Sequence, residues 1–363
     1  NDPRYPQQYG YFDPIGGINL PPAWDKSTGV GIVVAVLDTG ITNHSDLNAN
    51  IVAGYDMISD VRVANDGDGR DSNPADPGDW TVADECDAGR RPTNSSWHGT
   101  HVSGTVAAVT NNGVGVAGVA FGAKVSPVRV LGKCGGFISD ISDGIIWASG
   151  GAVTGVPANP RRAEVINMSL GGAGACGTTY QAAIDAAVSR GTTIVVAAGN
   201  ANVDVALARP ANCGNVIAVA ATTSNGDRAA FSNFGSGIDV SAPGLEIWST
   251  LNTGLTTPGV ESYANYSGTS MASPHVAGVV ALMQADRVRT PAQVEAILKA
   301  SAFPIPGVCT GGCGAGIVDA NAAIEVLRGN PVPPRPRPTL PPGPPPSNNI
   351  ECSGRELTSI DCL

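Results

Sequence analysis

The sequence predicts an α/β domain, a doubly wound, mainly parallel β-sheet with helices on both faces. Three observations carry that expectation. Apolar, β-branched runs recur: GIVVAVL (31–37), KVSPVRVL (124–131), AEVINMSL (163–170), TTIVVAA (192–198) and NVIAVAA (215–221). Strands that are apolar almost throughout, rather than at alternate positions, are buried on both faces, as in a parallel sheet covered by helices. Helix-like segments lie between several of them, THVSGTVAAV (100–109), ISDGIIWAS (141–149) and TYQAAIDAAVSR (179–190). Strand–helix alternation of this kind makes parallel crossovers. The composition agrees: 363 residues with 47 Gly, 28 Pro and only 14% charged side chains suit a loop-rich globular domain, not a bundle or a disordered chain. MASPHVAGVVALMQAD (271–286) reads as one more helix, apolar enough to be buried.

Two regions break the pattern. Residues 59–97 are polar and rich in Asp, Gly and Pro, and a loop that long inside a compact domain is usually functional. PVPPRPRPTLPPGPPP (331–346) reads as a polyproline spacer, followed by the tail 347–363. The expected organisation is one domain over 1–330, a proline-rich linker over 331–346 and a short disulfide-closed tail. A net charge of -10 argues against nucleic acid or an anionic membrane as the main partner. No apolar run has membrane-spanning length. Eight cysteines without zinc-type spacing read as disulfides, and so as an oxidising, extracellular compartment. The pairing expected is Cys86 with Cys134, Cys176 with Cys213, Cys309 with Cys313 and Cys352 with Cys362. The chain starts at Asn1 without Met, which reads as a processed terminus whose targeting and pro-segments have been removed. A monomer is expected.

The chemistry turns on SGTSMASPHVAG (267–278). Ser270 is a nucleophile only if a base reaches it. The chain has four histidines. His275 lies five residues along the same helix and, at about 100° per residue, points elsewhere. His44 sits in a polar turn, TNHSD. His98 and His101, three apart at the start of a helix in SSWHGTHVSG, remain as candidates. An orienting carboxylate must be held rigidly and partly dry. Asp38, closing the apolar run VVAVL, stands at the carboxyl end of a strand, where α/β sheets place ligands and chemistry.

VAVLDTG, HGTHVSG and GTSMASPHVAG, in the order Asp, His, Ser, resemble the three active-site signatures of the subtilisin-like serine proteases. The resemblance covers residues 5 to 328. It implies the subtilisin-like fold, with Asp38 as orienter, His98 as general base and then acid, and Ser270 as nucleophile. Asn200, after TIVVAAG, is by the same resemblance the oxyanion-hole side chain, joined by the Ser270 N–H at a helix start. Peptide would bind as an added strand between Ser169, Leu170 and Gly171 on one side and Gly135 and Gly136 on the other. Ala197, Ala198 and Gly199 would line the pocket for the side chain before the scissile bond, with Ala208 at its base, giving apolar or broad preference. TNNGVGV (110–116) resembles the family's calcium loop, with ligands from Asp46, the carbonyls of Thr110, Val114 and Val116, and the side chain of Asn112. A second candidate calcium site is Asp66, Asp68, Asp71 and Asp76, joined by Asp60, in the Asp- and Gly-rich stretch of the long loop. That loop exceeds the family's minimal pattern. Pinned by Cys86 to Cys134, and carrying Arg90 and Arg91, it is expected to act as an exosite for large, fibrous protein substrates. In detail the chain resembles secreted subtilases of Gram-negative bacteria. The resemblance implies export, a pro-region that inhibits before removal, virulence, and degradation of host matrix proteins.

Overall fold

The computed structural model describes residues 1–335. Cys352, Cys362, the tail and all but the first residues of the proline-rich linker lie outside that range. In chain order the strands are β1 (Val33–Asp38), β2 (Tyr55–Asp56), β3 (Lys124–Arg129), β4 (Val165–Met168), β5 (Gly172–Ala173), β6 (Thr193–Ala197), β7 (Ala208–Arg209), β8 (Ile217–Thr222), β9 (Val240–Pro243), β10 (Ile247–Asn252) and β11 (Glu261–Tyr266). Seven of them form one all-parallel sheet in the order β2-β3-β1-β4-β6-β8-β9. After β1 the chain builds one flank of the sheet, β2 and β3, and then crosses to the other with β4. The switch of direction therefore falls at β1, and its carboxyl end, Asp38, opens on the crevice that such a switch creates.

The helices are α1 (Tyr9–Phe12), α2 (Pro21–Trp24), α3 (Val61–Ala64), α4 (His98–Ala107), α5 (Ile138–Ala148), α6 (Gly177–Ser189), α7 (Thr269–Asp286), α8 (Pro291–Ser301) and α9 (Ala320–Arg328). The pleat sends Val34 and Val36 of β1 into a core with Val102 and Val106 of α4 and Val276 and Val280 of α7. Val33, Ala35 and Leu37 enter the opposite core, with Ile141 and Ile145 of α5 and Tyr180 and Ile184 of α6. Each fully buried aliphatic side chain of this kind contributes about 1.5–3 kcal/mol. β1 serves both cores, as β4, β6 and β8 do, so it is held on both faces, and Asp38 rides on it.

All five expected sheet strands form. The helix expected over 100–109 begins earlier, at His98, and the one over 271–286 begins at Thr269. Three further elements have weak sequence signals. β2 is two residues long, β9 (VSAP) carries a serine and a proline, and β11 (ESYANY) is half exposed. β10 and β11 pair as an antiparallel hairpin outside the main sheet. Three disulfides form as expected: Cys86 with Cys134, Cys176 with Cys213, and Cys309 with Cys313. The 59–97 loop is tied along its length. It holds the single turn α3 and bridges Asp56 to Asp71, Ile41 to Ala75, and Thr81 to Thr93.

Candidate active site

Asp38 and His98 come together as the sequence suggests. His98 Nδ1 donates to Asp38 Oδ1 at 2.8 Å, and both side chains are fully buried. The Thr39 N–H donates to the same oxygen at 2.8 Å. His98 is the first residue of α4, and the approach of this helix to the end of β1 requires Gly99. A Cβ there would lie 2.2 Å from the Gly40 carbonyl oxygen. Trp97, just before, is held at φ 51° with its indole N–H on the Gly254 carbonyl at 2.8 Å. A bulky residue in the left-handed region costs about 1–3 kcal/mol, and such strain gathers at functional sites.

Ser270 is the second residue of α7, which packs on α4. Its hydroxyl donates to the Ser169 carbonyl at 3.3 Å. Pro274 lies four residues on and cannot supply the helical N–H that the Ser270 carbonyl would accept. The Ser169 hydroxyl donates to that carbonyl instead, at 2.7 Å. The Asn167 amide donates to the Ser169 hydroxyl at 2.9 Å and accepts from Ser273 at 2.7 Å. The proline thus opens α7 where the end of β4 can lace into it, beside the candidate nucleophile.

Asn200 follows β6. Its Oδ1 accepts from the Thr269 N–H at 2.8 Å and the Thr269 hydroxyl at 2.9 Å. Its Nδ2 lies near Gly268, where an added Cβ would stand 3.3 Å from it. Asn200 and Ser270 are therefore joined through Thr269, one residue before the nucleophile.

The other histidines are committed elsewhere. His275 Nδ1 donates to the Met271 carbonyl at 2.8 Å, and its ring meets Tyr11 edge-on. His101 Nε2 donates to the Ala264 carbonyl at 3.1 Å, and its ring stacks on Tyr266. His44 accepts from the Asp46 N–H through Nδ1 and donates from Nε2 to the Ser262 carbonyl. Burial lowers His275 to about 4. Burial, and then the charge of His98, lower His101 to about 3.

The expected substrate-binding residues share one end of the sheet. Ser169, Leu170 and Gly171 leave β4, and Ala197, Ala198 and Gly199 end the neighbouring β6. β5 pairs with β7, which sets Ala208 opposite Ala173. A Cβ built on Gly199 would lie 3.8 Å from that of Ala208. Gly135 and Gly136 follow β3, where Gly132 bridges Gly135.

The acidic residues of the long loop separate. Asp60 caps α3 by accepting from the Arg62 N–H. Asp66 pairs with buried Arg129 at 2.8 Å, and Asp71 accepts from the Asn73 N–H. Asp68 is exposed. Asp76 is buried, accepting from the Thr39 hydroxyl at 2.7 Å and the Gly78 N–H at 2.9 Å. The expected gathering of these five carboxylates as a calcium site is not formed: four are taken by separate neighbours, Asp68 is exposed, and among the described residues no cluster of three or more acidic, His or Cys ligands occurs.

Two of the loop's residues instead reach the neighbours of the buried Asp38–His98 pair. The Thr39 hydroxyl held by Asp76 also accepts from the Gly99 N–H at 3.0 Å. Asp79, buried, accepts from the Ser96 N–H at 2.6 Å and the Ser96 hydroxyl at 2.7 Å, and that hydroxyl accepts from the His98 N–H at 3.3 Å. Burial, and then the charge of Asp79, push Asp76 up to about 7. Burial raises Asp79 too, while the charge of His98 opposes the rise. Sequence reasoning missed Asp79, Ser96, Thr39 and Thr269 as supports. Nothing distinguishes Asp79 from its acidic neighbours until its burial is known.

At the other candidate site Asp46 is buried, its Oδ1 accepting from the Asn112 amide at 2.7 Å and its Oδ2 from the Val116 N–H at 3.0 Å. Burial raises its carboxyl above the ordinary range. The carbonyls of Thr110, Val114 and Val116 accept no protein hydrogen bond among the described residues. One carboxylate with three free carbonyls is oxygen chemistry that suits calcium. Cys86 fastens the loop beside Gly135, and two contacts from Lys133 reinforce it, an ion pair to Glu85 at 2.9 Å and a cation–π contact 3.7 Å above Trp80. Arg90 and Arg91 are exposed near that tether, Arg90 beside Asp87 at 3.6 Å.

A seven-stranded parallel sheet with a buried Asp–His pair at its switch point suits a known class, and the chain belongs to it: the subtilase family model matches residues 29–330. An extracellular protease of Xanthomonas campestris pv. campestris is 67% identical over 326 residues, which is 89% of this chain and 56% of that protein. An extracellular basic protease of Dichelobacter nodosus is 49% identical over 350 residues, 94% of this chain and 58% of that one. The chain thus spans a little over half the length of these curated relatives. Among solved structures, a protease from Pseudoalteromonas arctica is 57% identical with a TM-score of 0.88, covering 90% of this chain and 99% of its own. Among the described residues no helix is long and apolar enough to cross a membrane.

Proposed function

We propose that the chain is a secreted serine endopeptidase acting through an acyl-enzyme. The observation that carries the reading is the buried 2.8 Å hydrogen bond from His98 Nδ1 to Asp38, on the helix that packs against α7. Asp38 fixes the tautomer in which His98 Nε2 is the base. Ser270 Oγ attacks the peptide carbonyl carbon, and its proton passes to Nε2. The oxyanion is met by Asn200 Nδ2 and the Ser270 N–H. Collapse expels the amine, which takes the proton from His98. Water activated by His98 then hydrolyses the ester and frees Ser270. Residues 169–171 and 135–136 flank the substrate strand, and 197–199 with Ala208 form the pocket for the preceding side chain.

Calcium is the metal this reading includes. Asp46, Asn112 and the carbonyls of Thr110, Val114 and Val116 would hold it, and its charge would clamp the 110–116 loop without entering the reaction. The substrates are proteins, and fibrous host proteins are reached through the long loop, with Arg90 and Arg91 as exosite. The pro-region acts as inhibitor. The names of two relatives as extracellular proteases support export. The domain ends near residue 330, before the linker, and acts as a monomer. Hydrolysis of a denatured protein by the chain and by Ser270→Ala tests the core of the proposal. Activity should fall by about 10⁴-fold or more, and equal activity in the two would remove it. Arg90→Ala with Arg91→Ala should slow cleavage of a fibrous protein only, and unchanged rates on that and on a short peptide would remove the exosite.

A further inference from the structure

The turn that carries Asn200 is built around one side chain. Asn233 is 2% exposed and lies far along the chain, beyond β8. Its Oδ1 accepts from the Ala201 N–H and the Val203 N–H, each at 3.1 Å. Its Nδ2 donates to the Ala198 carbonyl at 2.8 Å. Its backbone N–H donates to the Gly199 carbonyl at 2.9 Å. Four hydrogen bonds thus run from a single residue to the chain on both sides of Asn200. Gly199, at φ 101°, is the counterpart of this arrangement, since a Cβ there would lie 2.5 Å from Asn233 Nδ2. The position calls for an amide. A carboxylate would keep the two accepted bonds but face the Ala198 carbonyl with an oxygen, and a serine would fall short of one partner or another.

We propose that Asn233 is a positioning residue for the oxyanion hole, fixing the 198–203 turn so that Asn200 presents its amide N–H where the oxyanion develops. The inference rests on the role given to Asn200 above. Thr269 sets the rotation of the Asn200 side chain, and Asn233 sets the backbone from which it projects. A donor of this kind works only if it is in place before charge appears, and displacement by a fraction of an ångström forfeits most of its effect.

The test is a double-mutant cycle on a small peptide substrate. Asn233→Ala should lower kcat by about 10- to 100-fold with KM within about twofold, since removal of the donor itself costs about 10²–10³. In an Asn200→Ala background the same change should lower kcat by less than about twofold. Asn233→Asp, which keeps volume and both accepted bonds, serves if the alanine variant does not fold, and the same pattern is expected. A loss of equal size in both backgrounds would overturn the inference, because Asn233 would then act through general stability. An unchanged kcat would overturn it as well. If Asn200→Ala alone leaves kcat intact, the oxyanion-hole reading itself fails, a result separate from either of these.

Discussion

His98 stands between two regions of opposite character. On one side are β1, α4 and α7, apolar and wholly buried, which carry Asp38, His98 and Ser270. On the other is the 59–97 loop, polar and largely exposed, which sends two buried carboxylates inward. Asp76 steadies Thr39 beside Asp38, and Asp79 steadies Ser96 beside His98. The apolar side places the reacting groups by packing. The polar side holds them by hydrogen bonds to buried carboxylates, Asp76 and Asp79. A long loop outside the minimal family pattern is thus part of the framework through these two carboxylates and an outward surface along much of the rest.

The comparison breaks most sharply on the apolar side. Asp38→Asn should lower kcat by about 10⁴-fold with the fold intact by circular dichroism, because the imidazole loses the tautomer that makes Nε2 a base. A loss below about tenfold would mean that the framework does not depend on this carboxylate. Next is Asn200→Ala, expected to cost about 10²–10³ in kcat with KM nearly unchanged. A change confined to KM would place Asn200 in binding instead.

Stability should follow two histidines of the apolar side. His101 and His275 stay neutral to about 3 and about 4, against an ordinary value near 6.5 in the unfolded chain. The folded state therefore binds fewer protons between those limits. Their contribution is complete above pH 6.5 and is lost as pH falls through the window toward 4 and then 3. Urea midpoints measured across that range should drop steadily, and a His101→Asn, His275→Asn double variant should flatten the slope. An equal slope in the variant would assign acid sensitivity to other groups.

The smallest effect belongs to the loop. The charge of Asp79 favours the protonated imidazole of His98, so Asp79→Asn should move the acidic limb of kcat/KM down. His98 also faces Asp38 on β1 and His101 on α4, while Asp76 in the loop acts on Asp79 and Arg129 on β3 acts on Asp76. An acidic limb that stays fixed, or moves up, would reduce Asp79 to packing.

The sequence made the apolar region legible and the polar one not. VVAVL, HGTH and GTSMASPHVAG combine strand or helix periodicity with chemistry, so the strands and helices could be read there, and the resemblance they carry made Asp38, His98, Ser270 and, after TIVVAAG, Asn200 the candidates for the site. In the loop, Asp60, Asp66, Asp68, Asp71, Asp76 and Asp79 differ only in what the fold sets beside them. Composition suggested a shared cation, whereas the fold gives Arg129 to Asp66 and the catalytic supports to Asp76 and Asp79. Asn233 was equally hidden, because its four partners lie thirty or more residues earlier in the chain. Patterns within a segment are visible to sequence reading, and long-range polar pairings are not.

The most direct measurement of the central claim is reaction of the folded chain with a fluorophosphonate, with the adduct located by mass spectrometry. A single adduct on Ser270, abolished by His98→Ala, is the result expected of a serine activated by the buried Asp38 and His98 pair. No adduct, or labelling of Ser270 that persists unchanged without His98, would contradict it.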